Sequence, residues 1–381
     1  MRVSIIGSRG YPYVYSGYET FVKELAERLV KKGIQVTVYC HKNLFASFPK
    51  QVNDIDLVYV STIETKSLSQ LIHSFLSITH ACFTRTDVIL VVNAANGPWG
   101  LITRLFRKPT LINVDGMEWL RPKWKGLGAR YFHFSAWLCT KLYDRIVTDA
   151  EEMRKVYLEE FQKDSTVIAY GAHISYSQQP SLLLQFQLTP FEYYLVVGRL
   201  IPDNNADLII QGFLKAGSSR KLVIVGDVTY NDDYAATMKS KARNNIIFLG
   251  YITDSQVLAE LYNHCFAYLH GHEFGGTNPT MLTAMANGCA IMAMETRFNR
   301  EMLNNGEFGL FFNKDSDSLA QLMQQIEKND FVIQELRKKA RNGLTEKYNW
   351  DQVTDAYISI FDQLTNNKKQ KISTLKYGKS L

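Results

Sequence analysis

A glycine-rich loop between two apolar runs is the stretch of this sequence best suited to chemistry. His270-Gly-His-Glu-Phe-Gly-Gly-Thr-Asn-Pro-Thr follows the strand-length run Phe266 to Leu269. Asn278 suits an N-cap and Pro279 the first helical position. Met281, Leu282, Met285 and Ala286 line one apolar helical face. Gly288 stands where that helix stops, and Cys289 to Ala293 resumes as a buried strand. Gly275, Gly276 and Thr277 therefore lie between a strand end and a helix N-terminus, where N–H groups and the helix dipole favour an anion. Glycine lets a phosphate or a sugar hydroxyl approach the backbone. His270, His272 and Glu273 add side chains at the same rim. A tight connection with nothing bound has the same local pattern, so other stretches must decide.

Arg199, in Val197-Gly-Arg-Leu, closes another apolar run. A fixed cation at a strand end suits a diphosphate, and equally a structural ion pair. Asn113-Val-Asp-Gly-Met-Glu-Trp puts Asp115 and Glu118 just past a strand, where Asp-Gly is also a turn former. Asp149 closes the next strand, and with Glu152 it has capping-box spacing. Ser16 and Glu19 share that spacing, so Glu19 reads as a cap or as a site residue. Gly17 beside it permits close approach of a phosphate or an acceptor. Trp119 to Phe134 interleaves aromatics with four cations, a mixture that suits a headgroup-level surface or a solvated loop leading into a core helix. No His cluster has metal-ligand spacing, so no metal or cofactor is expected. The five cysteines are scattered without a CxxC, which favours reduced core thiols.

The elements that must position these residues repeat. Arg2 to Ile6, a glycine loop, a helix over about Gly17 to Lys32 and a strand over Gln35 to Cys40 open the chain in the doubly wound pattern. Gly7 and Gly10 do not form a dinucleotide fingerprint. Strands are expected at Leu57 to Val60, Val88 to Val92, Thr110 to Val114, Arg145 to Thr148 and Thr166 to Ala169. A second series follows at Tyr194 to Val197, Lys221 to Val225, Ile246 to Leu249, Phe266 to Leu269 and Ala290 to Ala293. Helices are expected near Asp207 to Lys215, Asp254 to Asn263, Ser316 to Glu346 and Asp351 to Leu364. At 381 residues two domains are the default. We expect an α/β chain with two Rossmann-like domains facing each other across a cleft: 1–180 for the acceptor and 190–349 for the nucleotide-sugar. A linker covers Ser175 to Thr189. Residues 350–366 form a helix packing back across the domains, and 367–381 a basic, mobile tail. The net charge of +6 suits anionic ligands or an anionic membrane surface better than nucleic acid. The N-terminus lacks a signal-peptide pattern and no apolar run approaches bilayer length. The expectation is a cytoplasmic protein, peripheral at the inner face of the membrane.

Two Rossmann-like domains without that fingerprint are the outline of a GT-B glycosyltransferase. Arg199 in Val-Gly-Arg-Leu, the Gly250-Tyr251-Ile turn, the Gly275-Gly-Thr-Asn-Pro loop and the closing Tyr348-Asn-Trp resemble retaining GT-B enzymes of glycosyltransferase family 4. Ile6-Gly-Ser-Arg-Gly-Tyr-Pro, Ser16-Gly-Tyr-Glu-Thr-Phe-Val, Asn113-Val-Asp-Gly-Met-Glu-Trp and Pro202-Asp-Asn-Asn resemble its bacterial rhamnosyltransferases. The resemblance implies a dTDP-β-L-rhamnose donor, no metal, and a polyprenyl-diphosphate-linked sugar acceptor. It places Asp149 and Tyr170 toward the donor. It makes Asp115 the carboxylate that orients the acceptor hydroxyl or steadies an oxocarbenium-like centre, with Glu118 beside it. The sequence departs from the family at three places. Gly275 and Thr283 stand where paired glutamates are usual, and Asn204 or Asn205 stands where a lysine is usual. A transferase using another nucleotide-sugar, a GT-B-fold nucleotide-sugar epimerase and a catalytically weak sugar-nucleotide binding subunit share this outline.

Overall fold

The computed structural model describes residues 1–12, 17–63, 68–122, 124–228 and 232–377. The chain divides into two compact units. Unit 1 holds Met1–Leu120, Trp124–Tyr170 and Trp350–Leu381; unit 2 holds Gly171–Asn349 with the short 121–123 segment.

Unit 1 begins with β1 (Arg2–Ile6), α1 (Gly17–Lys31), β2 (Gln35–His41), the short β3 (Gln51–Val52) and β4 (Ile55–Val60). It continues through α2 (Ser69–Phe83), β5 (Val88–Val92), α3 (Gly100–Leu105), β6 (Thr110–Val114) and α4 (Leu127–Leu142). β7 (Arg145–Thr148), α5 (Glu151–Phe161) and β8 (Thr166–Val167) complete the series. The sheet order is β3-β4-β2-β1-β5-β6-β7-β8, and β3 alone is antiparallel to its neighbour. The central strands are fully buried, which is why β5 and β6 read as unbroken apolar runs in the sequence. Right-handed crossovers from β4 to β5, β5 to β6 and β6 to β7 all step the same way, so α2, α3 and α4 cover one face. The β1 to β2 crossover steps the other way and puts α1 on the opposite face.

Unit 2 runs β9 (Tyr193–Val197), α6 (Ala206–Ala216), β10 (Lys221–Val225), α7 (Asp233–Lys239), β11 (Ile246–Gly250) and α8 (Ser255–Asn263). β12 (Ala267–His270), α9 (Pro279–Ala286), β13 (Ile291–Met294), α10 (Arg297–Met302), β14 (Leu310–Phe312), α11 (Ser316–Glu327) and α12 (Asp330–Ala340) follow. Its sheet is parallel throughout, in the order β11-β10-β9-β12-β13-β14. Tyr194, Ile209, Phe213, Leu222, Ile224 and Met292 fill the core between sheet and helices. The single helix expected over Ser316 to Glu346 is two. Asp315 caps α11 through the N–H groups of Asp317 and Ser318, and Asn329 breaks out of helical geometry with φ −143° and ψ 79°.

The expected linker is anchored rather than free. The buried Glu260 carboxylate accepts from the N–H groups of Gln178 and Gln179 and from the Ser177 hydroxyl. Leu183 and Leu188 are buried, and the break between units falls at Tyr170. The last helix, α13 (Trp350–Tyr377), belongs to unit 1. It lies on α1, where Arg28 meets Asp351, Lys32 meets Asp355, and Phe21 packs against the Trp350 and Tyr357 rings. Its backbone stays helical past Leu364 into the segment whose composition reads as a tail. Among the described residues no helix is long and apolar enough to cross a membrane.

Candidate functional site

In unit 2 the polar residues collect where β9, β10 and β12 end. Backbones approach so closely there that side chains are excluded. A Cβ on Gly226, which has φ +116°, would lie 2.1 Å from the Gly198 carbonyl, and one on Gly271 2.4 Å from the Asn204 carbonyl. Asn278 caps α9 by accepting from the Thr280 N–H at 3.0 Å, and Pro279 takes the first helical position, as the sequence leads one to expect. Gly275, Gly276 and Thr277 are buried immediately ahead of this cap. The α9 dipole therefore points at the loop.

The two asparagines after Arg199 hold backbone. Asn204 donates to the Arg199 carbonyl at 2.7 Å and accepts from His272 Nδ1 at 2.8 Å. That second bond fixes the His272 tautomer, with the proton on Nδ1. Asn205, in the left-handed region at φ 49°, donates to the Gly271 carbonyl at 2.8 Å. Neither replaces a lysine as a charge; both position the loop. Removal from water, with Arg121, His270 and Arg199 nearby, pushes the His272 imidazole well below its ordinary range. Burial alone drives His270 down to about 3. Both rings are neutral at physiological pH, leaving Arg199 as a permanent cation beside them. The half-buried Arg199 side chain makes no hydrogen bond or ion pair among the described residues.

The residue that ties this loop down is one that the sequence gives no reason to place here. Arg121 is buried against Asp203, with Nη1 3.4 Å from Oδ2, and its Nη2 donates to the Phe274 carbonyl at 3.2 Å. The Asp203 carbonyl in turn accepts from the Glu273 N–H at 3.1 Å. Arg121 thus leaves the group of surface cations expected along Trp119 to Phe134. Asn299 adds a second tie, donating to the His272 and Met294 carbonyls. Glu273 pairs with Lys314 at 2.6 Å. Thr283 turns its hydroxyl back to the Pro279 carbonyl at 2.9 Å, a bond within its own helix. Tyr251 is 61% exposed at the end of β11, apart from these ties.

Unit 1 assembles a second cluster past the ends of β6 and β7. The half-buried Asp115 accepts from the Tyr18 hydroxyl and, at 3.0 Å, from the Tyr170 hydroxyl. Asn113, fully buried, donates to the Tyr357 hydroxyl at 2.9 Å. Burial first, and the Asp115 charge second, hold the Tyr18 and Tyr170 phenols well above their ordinary range. These phenols stay protonated and act as donors. Asp149 is fully buried, and its charge acts on the Tyr18, Tyr157, Tyr170 and Tyr357 hydroxyls. It is not the cap of α5; that position is Ala150. Glu19 is buried and accepts from the Arg9 N–H at 2.9 Å, so it braces the glycine loop after β1. Its Ser16 partner lies outside the described residues. Gly17 opens α1. Glu118 accepts from the Trp124 indole at 3.1 Å. Trp119 and Trp124 pack on Phe161 and Phe132. Among the described residues no group of three His, Cys, Asp or Glu side chains could hold a metal.

Known protein families match both halves of the chain. Residues 1–173 match a model described as a domain of unknown function, DUF1972, and residues 186–346 match glycosyl transferases group 1. The chain superposes on sucrose-phosphate synthase from Thermosynechococcus elongatus with a TM-score of 0.81 at 16% identity, covering 96% of this chain and 99% of that one. This is a GT-B fold. The Anabaena GT-B protein HepE, solved with UDP-glucose, gives a TM-score of 0.75 at 13% identity, covering 96% and 99% of the two chains. Among curated relatives, poly(ribitol-phosphate) alpha-N-acetylglucosaminyltransferase of Staphylococcus aureus is 23% identical over 44% of this chain. The N-acetylgalactosamine-N,N'-diacetylbacillosaminyl-diphospho-undecaprenol 4-alpha-N-acetylgalactosaminyltransferase of Campylobacter jejuni is 24% identical over 39%. These matches span 34% and 41% of the two relatives' own lengths.

Proposed function

We propose that this protein is a retaining glycosyltransferase that takes a hexosyl unit from a nucleotide-sugar to a polyprenyl-diphosphate-linked sugar. L-rhamnose from dTDP-β-L-rhamnose is the favoured donor, on the motifs shared with rhamnosyltransferases. The observation that carries this reading is Arg199 just past the end of β9, its side chain without a hydrogen bond or ion pair among the described residues and its charge acting on neutral His272 in the loop that leads into α9. A permanent cation and a helix N-terminus together suit a diphosphate leaving group. The named relatives support the substrate classes: one structure holds UDP-glucose, and the Campylobacter relative's acceptor is diphospho-undecaprenol-linked.

In this reading Asp115 is the catalytic carboxylate of unit 1. Tyr18 and Tyr170 each donate a hydrogen bond to it and so fix the orientation of the carboxylate. It orients the acceptor hydroxyl, while the departing phosphate takes the proton on the same face of the sugar. Asp149 supplies negative charge toward the cationic sugar centre. The protein works in surface-polysaccharide assembly at the cytoplasmic side of the membrane, as a peripheral enzyme. Purified protein incubated with dTDP-, UDP- and GDP-sugars and a lipid-diphosphate-sugar acceptor tests this. We expect transfer from dTDP-rhamnose alone; transfer from UDP-glucose overturns the donor assignment.

A second reading has one observation in its favour. Thr283, where a ribose-gripping glutamate is usual in family 4, has its hydroxyl turned to its own helix. A weak sugar-nucleotide binding subunit fits that loss of grip. It predicts donor binding without turnover on any acceptor.

A further inference from the structure

We infer that the outward surface of α2, α3 and α4 is a docking face for an anionic lipid bilayer. This deepens the reading of the acceptor as lipid-linked and rests on it for its purpose, though not for its test.

This face carries an unusual layer of side chains. Single exposed apolar residues are normal on a protein surface. Here they concentrate on three neighbouring helices that cover one face of one sheet. On α2, Phe75, Leu76 and Phe83 are 41%, 40% and 72% exposed. On and just after α3, Leu101, Leu105 and Phe106 are 53%, 73% and 42% exposed. On α4, Leu127, Phe134 and Trp137 are 81%, 53% and 40% exposed. The Phe83 ring meets Phe106 at 4.8 Å across the α2–α3 boundary, and on α4 the Phe134 and Trp137 rings stack at 5.6 Å. Along α4 the outward stripe reads Leu127, Arg130, Phe134, Trp137, Lys141, which is helical spacing of apolar bodies and cations.

Charge selects the partner. No Asp or Glu occurs in Ser69–Phe83, in 88–114 or in 119–143, the segments that carry α2, α3 and α4. Arg104, Arg107, Arg130 and Lys141 are exposed around the apolar residues, and none has an ion pair among the described residues. Two carboxylates border this face: Glu160 of α5 lies 3.8 Å from His133, and Glu118 accepts from the Trp124 indole ahead of α4. On the opposite face α1 mixes both signs and pairs them, as Arg28 does with Glu24. A soluble partner protein would need complementary carboxylates and shape. A bilayer surface needs only what this face has: apolar rings and Leu tips to enter the headgroup boundary, and long cations to reach lipid phosphates.

The test is flotation of the intact chain with phosphatidylcholine vesicles containing about a third phosphatidylglycerol, compared with pure phosphatidylcholine. The wild type floats with the anionic vesicles. Arg104→Gln with Arg130→Gln weakens partitioning roughly twenty-five-fold, about five-fold per cation removed. Leu105→Glu with Trp137→Glu abolishes flotation, while a far-UV spectrum like the wild type's shows that the chain is still folded. Lys31→Gln with Lys50→Gln, the same charge loss elsewhere, leaves flotation near the wild-type level. The inference is overturned by a wild type that floats with neither vesicle, or by equal loss in both Lys and Arg pairs. It is also overturned by a dimer in solution that Leu105→Glu with Trp137→Glu splits, since the face then joins two copies. The assay contains no donor or acceptor, so its failure leaves the transferase reading standing, and failure of transfer leaves vesicle binding standing.

Discussion

Breaking the Arg121–Asp203 pair should unfix the loop between β12 and α9 and destabilise unit 2 together. Both side chains are nearly excluded from water, at 8% and 1% exposed. Removing one partner of a buried pair costs about 3–5 kcal/mol where the other charge loses its main compensation. The 3.4 Å contact is looser than a bidentate one, and Arg121 keeps the Phe274 carbonyl when Asp203 is neutralised. The lower end, about 3 kcal/mol, is therefore expected for Asp203→Asn, and a similar loss for Arg121→Met. Against a typical domain stability of about 5–15 kcal/mol, that is a large fraction. The double variant Arg121→Met, Asp203→Asn removes both charges of the pair, so it should cost less than the two single changes added, giving a coupling of about 2–3 kcal/mol. Donor affinity behaves differently. It should fall about ten-fold in Arg121→Met and stay low in the double variant, because the tie to Phe274 is gone in both. All five tryptophans lie outside unit 2, at Trp99, Trp119, Trp124, Trp137 and Trp350. Urea unfolding of unit 2 is thus followed by far-UV circular dichroism, with tryptophan fluorescence reporting unit 1 as a control. Single changes that each cost under about 1 kcal/mol, and that add in the double variant, would refute the clamp, for that is how a solvated surface pair behaves.

Acid should weaken unit 1 before its carboxylates titrate. Burial lowers His41 to about 3 and His73 to about 4, and the two rings stack at 3.7 Å. The unfolded chain binds protons below about pH 6.5 that the folded chain refuses, so stability is full above that value and falls as pH drops. At about pH 5 each ring contributes a loss of about 2 kcal/mol, and urea midpoints by tryptophan fluorescence should fall between pH 7 and 5; a flat profile contradicts it. Asp115→Asn should lower transfer by about 10²–10⁴-fold with donor affinity unchanged, measured by steady-state kinetics beside calorimetry; equal loss of both parameters places Asp115 in donor binding instead. Thr283→Glu should tighten donor binding by roughly ten-fold, read by calorimetry, since a charged acceptor hydrogen-bonds a ribose hydroxyl more strongly than a threonine committed to its own helix. No change means the ribose lies elsewhere.

The sheets were legible because their strands are buried on both faces. Val88–Val92, Thr110–Val114, Arg145–Thr148 and Lys221–Val225 coincide with expectation, each an apolar run with no competing period. The two-residue β3 and the three-residue β14 carry too little pattern to find. The break between α11 and α12 is a single Asn329 inside continuous helical periodicity. Local chemistry was legible where it is written in neighbours, as in the Asn278–Pro279 cap. It was not legible where a side chain comes from far along the chain. Arg121 lies 82 residues from Asp203, and Tyr357 lies 244 from Asn113. Nothing in Trp119 to Phe134 separates a clamped arginine from a surface one, and only packing reveals that Asn204 and Asn205 hold backbone.

The central claim is that unit 2 grips the diphosphate of an activated sugar through Arg199 beside the start of α9. Calorimetric titration of the purified chain with dTDP-rhamnose, repeated on Arg199→Ala, tests it most directly. A charge-assisted contact at about 1.5–3 kcal/mol predicts binding by the wild type and roughly 10- to 100-fold weaker binding by the variant, with an unchanged far-UV spectrum. Equal affinity in the two proteins, or no binding of any nucleotide-sugar by the wild type, would contradict it.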